Sequence, residues 1–100
     1  MQEKRTYPRV SIGLAVSCEV KDGPAIAGHG KDISLGGMFI EATEVPAFGT
    51  AVTIVARLPG IPTDARLPAV VRWSSEGGFG VQFGLLGARD THAITRLTKG

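Results

Sequence analysis

Residues 66–83 read Arg66-Leu67-Pro68-Ala69-Val70-Val71-Arg72-Trp73-Ser74-Ser75-Glu76-Gly77-Gly78-Phe79-Gly80-Val81-Gln82-Phe83. Leu67, Ala69, Val71 and Trp73 stand at every second position, opposite Arg66, Val70 and Arg72. That is the period of a strand with one buried face. Glu76-Gly77-Gly78 then turns the chain, and Phe79, Val81 and Phe83 repeat the period on the way back. The stretch is a hairpin of two strands. On this reading Trp73 belongs to the inward row and so to the core. Gly80, facing out between inward residues, suits a tightly curved strand and reads as architecture.

The same period runs outward from the hairpin. Leu14, Val16, Cys18 and Val20 alternate with Ala15, Ser17 and Glu19, and Lys21-Asp22-Gly23-Pro24 signals a turn. A second strand follows over about 26–33. A third has Met38, Ile40 and Ala42 on one face and Phe39 and Glu41 on the other. Val45-Pro46-Ala47-Phe48-Gly49 is a loop, after which Val52, Ile54, Ala56 and Leu58 make a fourth inward row. Pro59-Gly60-Ile61-Pro62 excludes a regular element. Only 88–98 has helical spacing, with Ile94 and Leu97 as a small apolar stripe. Six short strands punctuated by Gly and Pro predict an all-β fold, a six-stranded antiparallel barrel with a C-terminal helix able to cover one mouth. A barrel is preferred to an open sandwich because 100 residues leave little material to protect sheet edges.

One hundred residues make a single domain. Hydrophobic residues are 43% and charged residues 20% of the chain, ordinary proportions for a globular protein. No apolar run approaches the ~20 residues needed to span a bilayer, so membrane insertion is not expected. Met1-Gln2-Glu3-Lys4-Arg5 has no apolar signal core behind it, and Cys18 is the only cysteine, so no intrachain disulfide exists. Together these features point to the cytoplasm. The net charge of +2 is too small to expect binding to DNA or RNA, which scales with the phosphates neutralised. Seven of the eleven cations are Arg, the side chain whose planar fork meets phosphates and base edges.

Enzyme chemistry finds no support. His29 and His92 are the only histidines, and neither has a metal ligand at coordinating spacing. Cys18 lies in an inward row, where a small buried hydrophobe belongs. Ser34 has no adjacent base, and no acid–base pair emerges.

Two stretches can carry binding. In Arg5-Thr6-Tyr7-Pro8-Arg9, Pro8 keeps Tyr7 out of the helical region. The stretch is therefore an extended arm, with its two guanidinium groups on one side roughly 13 Å apart. Such a pair could grip a dianion, each fork meeting a phosphate or a guanine edge; it would also suit a solvated basic terminus. In Asp32-Ile33-Ser34-Leu35-Gly36-Gly37, Asp32 and Ser34 share one face at a strand end. A carboxylate there could accept the N1 and N2 protons of guanine, and the glycine pair permits positive φ and close approach of a ligand. The same residues also fit a plain turn in which Asp32 or Ser34 caps its own backbone. His29, between two glycines, reads as a solvated strand residue.

Arg-x-x-x-Arg followed after one hairpin by Asp-x-Ser-x-x-Gly resembles the two-part signature of PilZ domains. Val71-Arg72-Trp73 and Gly78-Phe79-Gly80-Val81-Gln82-Phe83 are similar to that family's last two strands. The resemblance covers the chain from Arg5 to the closing helix. It implies a barrel that binds cyclic di-GMP on its outer surface, with no cofactor. Arg5 and Arg9 would contact guanine and phosphate, and Asp32, Ser34, Gly36 and Gly37 would form the second half of the site. Lys4, a basic residue directly before the first arginine, is associated in the family with an intercalated pair of ligands. The arm over 1–10 has few apolar residues to hold it against the barrel, so it is expected to be flexible and to close over the ligand. The signal would pass to a downstream effector protein not identifiable from the sequence. Trp73, near a barrel mouth, could touch a base. Family members that lost the ligand act as adaptors, so a ligand-independent interaction module, using exposed residues such as Phe39 or Phe48, is the alternative.

Overall fold

The computed structural model describes residues 9–98. Six strands, β1 (Val10–Val20), β2 (Ile26–Ile33), β3 (Gly37–Glu41), β4 (Ala51–Ala56), β5 (Ala65–Ser75) and β6 (Gly78–Phe83), precede one helix, α1 (Ala88–Thr98). The strands close into a barrel in the order β1-β2-β3-β6-β5-β4, with every neighbouring pair antiparallel. Closure gives every strand a paired neighbour on each side. The predicted elements match these spans, except that β1 begins at Val10, which pairs with Ile33. Val10 is therefore part of the barrel wall, not of the arm. Residues 1–8 of that arm lie outside the described residues.

The inward rows fill the barrel. Val16, Cys18, Ile33, Met38, Ile40, Ile54, Leu67, Val71, Phe79 and Val81 are all 5% exposed or less. Each large side chain so buried contributes about 1.5–3 kcal/mol. Ile94, fully buried, and Ala93 join the same core from α1, so the helix closes one end of the barrel beside Ile61. Tight reversals are made where the backbone permits them: Gly77 at φ +89° turns β5 into β6, and Asp22 at φ +61° turns β1 into β2.

Three irregularities interrupt the alternation. The β1–β2 register shifts between Ser11 and Leu14, the β2–β3 register between Gly30 and Asp32, and the β5–β6 register between Val71 and Trp73. Each bulge inserts a residue and turns the following side chains to the other face. In β2 it leaves Lys31 exposed and Asp32 half-buried between the inward Gly30 and Ile33. In β5 it does the same for Arg72 and Trp73. Trp73 is consequently not in the core as the alternation predicts: it is 42% exposed, on the outer wall.

Candidate ligand-binding site

The register builds a row across the outer wall. Asp32 on β2 pairs with Phe39 on β3, Phe39 with Gly80 on β6, and Gly80 with Trp73 on β5. The row needs glycine on β6. A Cβ at Gly80 would lie 1.8–2.3 Å from three atoms of the Trp73 indole, and one at Gly78 would lie 2.7 Å from the Phe39 ring. The two rings therefore lie on bare backbone. Arg9, one residue before β1, reaches over this row. Its Nη1 donates to Asp32 Oδ1 at 2.5 Å, and its guanidinium carbon stands 5.9 Å from the centre of the Trp73 ring, within cation–π range.

The ion pair is largely withdrawn from water, with the Arg9 side chain 16% and the Asp32 side chain 31% exposed. Asp32 Oδ1 also accepts the Phe39 backbone N–H at 3.3 Å, so both lone pairs of that oxygen are engaged. Arg9 Nε is buried without a partner among the described residues. The site thus holds one arginine oriented by a carboxylate and an indole, with N–H groups left for an acceptor.

The turn after Asp32 is held by its own backbone. Ser34 N–H donates to Gly37 O at 2.8 Å, and Phe83 N–H donates to Gly36 O at 2.8 Å. Ser34 is 3% exposed, and its Oγ accepts the Gly36 N–H at 3.0 Å. It therefore shapes the turn while keeping its O–H as a donor. The glycine pair does not serve through positive φ, since the glycines in that region are Gly49, Gly60 and Gly77. Gly37 is required by close packing instead: a Cβ there would sit 2.0 Å from Val81 O.

Of the sequence-predicted residues, Arg9 and Asp32 meet directly, and Ser34, Gly36 and Gly37 form the adjoining turn. Lys4 and Arg5 lie outside the described residues. Trp73 as an outer-wall residue, and Phe39 and Gly80 as parts of the same row, escaped sequence reasoning. The available signal was Gly78 and Gly80 two apart on an outward face, a bare strip on which rings can lie. His29 is exposed, as expected. Among the described residues no cluster of three or more His, Cys, Asp or Glu could hold a metal ion, and no helix is long and apolar enough to cross a membrane.

The fold has solved counterparts. The PilZ domain of YcgR from Escherichia coli, solved with c-di-GMP, superposes with a TM-score of 0.75 at 14% identity, covering 97% of this chain and 90% of that one. The PilZ domain of CeSA, from a cellulose-synthesizing bacterium, gives 0.70 at 22% identity over 92% and 95%. An inhibitor of motility from Bacillus subtilis, MotI/DgrA, gives 0.77 at 19% identity over 98% of this chain. The chain spans about half, 51%, of that protein's length. At such identities the likeness is one of fold. No curated protein matches the chain in sequence. The sequence pattern of the PilZ domain itself matches residues 3–100. The chain belongs to the PilZ domain family, a family of receptors rather than enzymes.

Proposed function

We propose that this domain binds cyclic di-GMP on the outer wall of the barrel and relays the signal to a partner protein in the cytoplasm. The observation that carries the reading is Arg9, held between Asp32 and Trp73 beside the Ser34–Gly37 turn. A guanidinium oriented in this way meets phosphate bidentately or bonds guanine O6 and N7. The carboxylate beside it offers Oδ2 to the complementary guanine edge. Arg5 would supply the second fork and Lys4 the charge for a second ligand molecule. Related folds solved with c-di-GMP, the YcgR PilZ domain and MrkH of K. pneumonia, support the ligand class.

Removing one partner of a desolvated charge pair costs about 2–5 kcal/mol. Arg5→Ala and Arg9→Ala should therefore each weaken binding at least about thirtyfold, measured by calorimetry. Wild-type affinity in both variants would exclude the site. One observation favours the adaptor reading: Asp32 already neutralises Arg9, so the pair could serve the fold alone. A wild-type titration with no heat and no rise in melting temperature would decide for the adaptor.

A further inference from the structure

We infer that the groove between α1 and the β4–β5 loop is a docking surface for an acidic, leucine-bearing segment of a partner protein. The groove encloses about 440 Å³ and is lined by Pro59, Gly60, Ile61, Arg89, His92, Ala93, Arg96 and Leu97. Its chemistry is divided. Ile61, Ala93 and Leu97 make an apolar floor, deep enough to take an aliphatic side chain. Arg89 and Arg96 make a cationic rim along α1, with the polar His92 between them at helical spacings of three and four. The opposite wall is the Pro59–Gly60 reversal, with Gly60 at φ +86° and open space where its Cβ would be. That wall offers no charge and little bulk, so an extended or helical segment can enter from that side.

Among the described residues no carboxylate lines the groove. The neighbouring acids lie outside it: Asp64 pairs with Arg57 at 3.1 Å, and Asp64 and Asp90 line an adjoining hollow that shares Ile61 and Arg89 with the groove. Arg89 stands between the groove and that hollow, steadied by a hydrogen bond from Nη2 to Thr63 Oγ1 at 2.8 Å. Arg96 and His92 make no ion pair among the described residues. Unbalanced positive charge around a concave apolar floor complements carboxylates flanking an aliphatic side chain. Two arginines are too few for nucleic acid, whose affinity grows with the phosphates neutralised. A narrow concavity is also the wrong shape to lie on a flat bilayer. The groove is separate from the proposed dinucleotide site, but the chain joins them: Phe83, bonded to the Gly36 carbonyl, is followed after four residues by α1.

The test uses the whole chain without dinucleotide, so its outcome is independent of cyclic di-GMP binding. Isotope-labelled protein is titrated with a short synthetic peptide of glutamate and leucine, with the same peptide carrying glutamine for glutamate, and with phosphatidylglycerol vesicles. Saturable amide shifts confined to residues 60–61 and 88–97 are expected with the acidic peptide. Binding should be weaker by about tenfold or more for the glutamine peptide and for Arg96→Glu. Arg96→Gln, which leaves the exposed surface uncharged and the fold undisturbed, should fall between. No saturable shift, or shifts that Arg96→Glu leaves unchanged, would overturn the proposal. Shifts of the same residues with vesicles but not with peptide would overturn it in favour of a lipid surface.

Discussion

Gly80→Ala is a one-methyl perturbation whose effect on ligand binding should run entirely through another residue. The added Cβ would fall 1.8–2.3 Å from Cε2, Cζ2 and Nε1 of Trp73. Carbon atoms pack no closer than about 3.5 Å, so the indole must lift by roughly 1.5 Å. Its centre already stands 5.9 Å from the Arg9 guanidinium, at the edge of the useful range. A lift presses the ring toward the guanidinium that stands over it, so either Arg9 is pushed from Asp32 or the ring tilts out of its place under Arg9. A cation–π contact is worth about 0.5–1 kcal/mol when exposed and about 2 when desolvated. Arg9 is mostly buried and Trp73 partly exposed, which places this pair at about 1–2 kcal/mol between those limits. Affinity for cyclic di-GMP should fall about five- to thirtyfold. The decisive assay is calorimetry on a cycle of wild type, Gly80→Ala, Trp73→Ala and the double variant. If glycine matters only as the bed of the indole, the double variant binds like Trp73→Ala, and the two losses are strongly non-additive. Equal losses from Gly80→Ala in the presence and absence of Trp73 would refute the reasoning.

Three further outcomes are expected. Cyclic di-IMP keeps guanine O6, N7 and N1–H but lacks the N2 amine, so it should bind about five- to tenfold more weakly if Asp32 accepts that edge. Cyclic di-AMP should compete far more poorly, and equal affinity for all three dinucleotides would remove Asp32 as the reader. Gly37→Ala forces a Cβ to 2.0 Å from the Val81 carbonyl, backbone that cannot yield; overpacking of about 1–3 kcal/mol should lower the midpoint of thermal unfolding by at least about 5 °C, and an unchanged midpoint by circular dichroism would refute it. Burial pushes the Cys18 thiol up to about 11. The unfolded thiol gives up its proton first, so this contribution to stability is complete below about pH 9 and is lost as pH rises toward 11. Denaturant unfolding should show the difference between wild type and Cys18→Ala shrinking across that window, and a difference independent of pH would count against the burial.

Where one strand face is buried, the alternation of the sequence reports it directly, and the rows through Val16, Ile40, Ile54 and Phe79 were legible for that reason. The same logic misplaces Trp73. A bulge adds one residue to one strand, and a period of two has no memory of which side it started on. Nothing in Val71-Arg72-Trp73 says that Arg72 is the extra residue; only the partner strand shows it, through the pairing of Val71 with Val81 and of Trp73 with Gly80. The site was legible as motif and illegible as geometry. Arg9 and Asp32 are 23 positions apart, and their contact depends on a β1–β2 register that itself contains a bulge. In the sequence Gly80 looks like a device of curvature, because what a glycine is for depends on what covers it.

The Arg9–Asp32 pair gives the proposed site a reason to be stable when empty. An arginine left mostly buried without a counter-ion would cost several kcal/mol, and a receptor must hold its site open until ligand arrives. Asp32 removes that cost by neutralising Arg9, and Trp73 lies beneath it within cation–π range. The same pairing competes with the ligand, because Asp32 Oδ1 is already filled by Arg9 and the Phe39 N–H. Binding through the guanine edge is then an exchange: the base takes the carboxylate, and the released guanidinium takes a phosphate. Arg9 then neutralises a phosphate while Asp32 keeps its charge against a neutral base edge, so the net gain is smaller than the sum of the new contacts. The two partners are therefore not equivalent. Loss of Arg9 removes the phosphate contact outright, whereas loss of Asp32 removes both a base contact and a competitor for Arg9, and the second effect offsets part of the first.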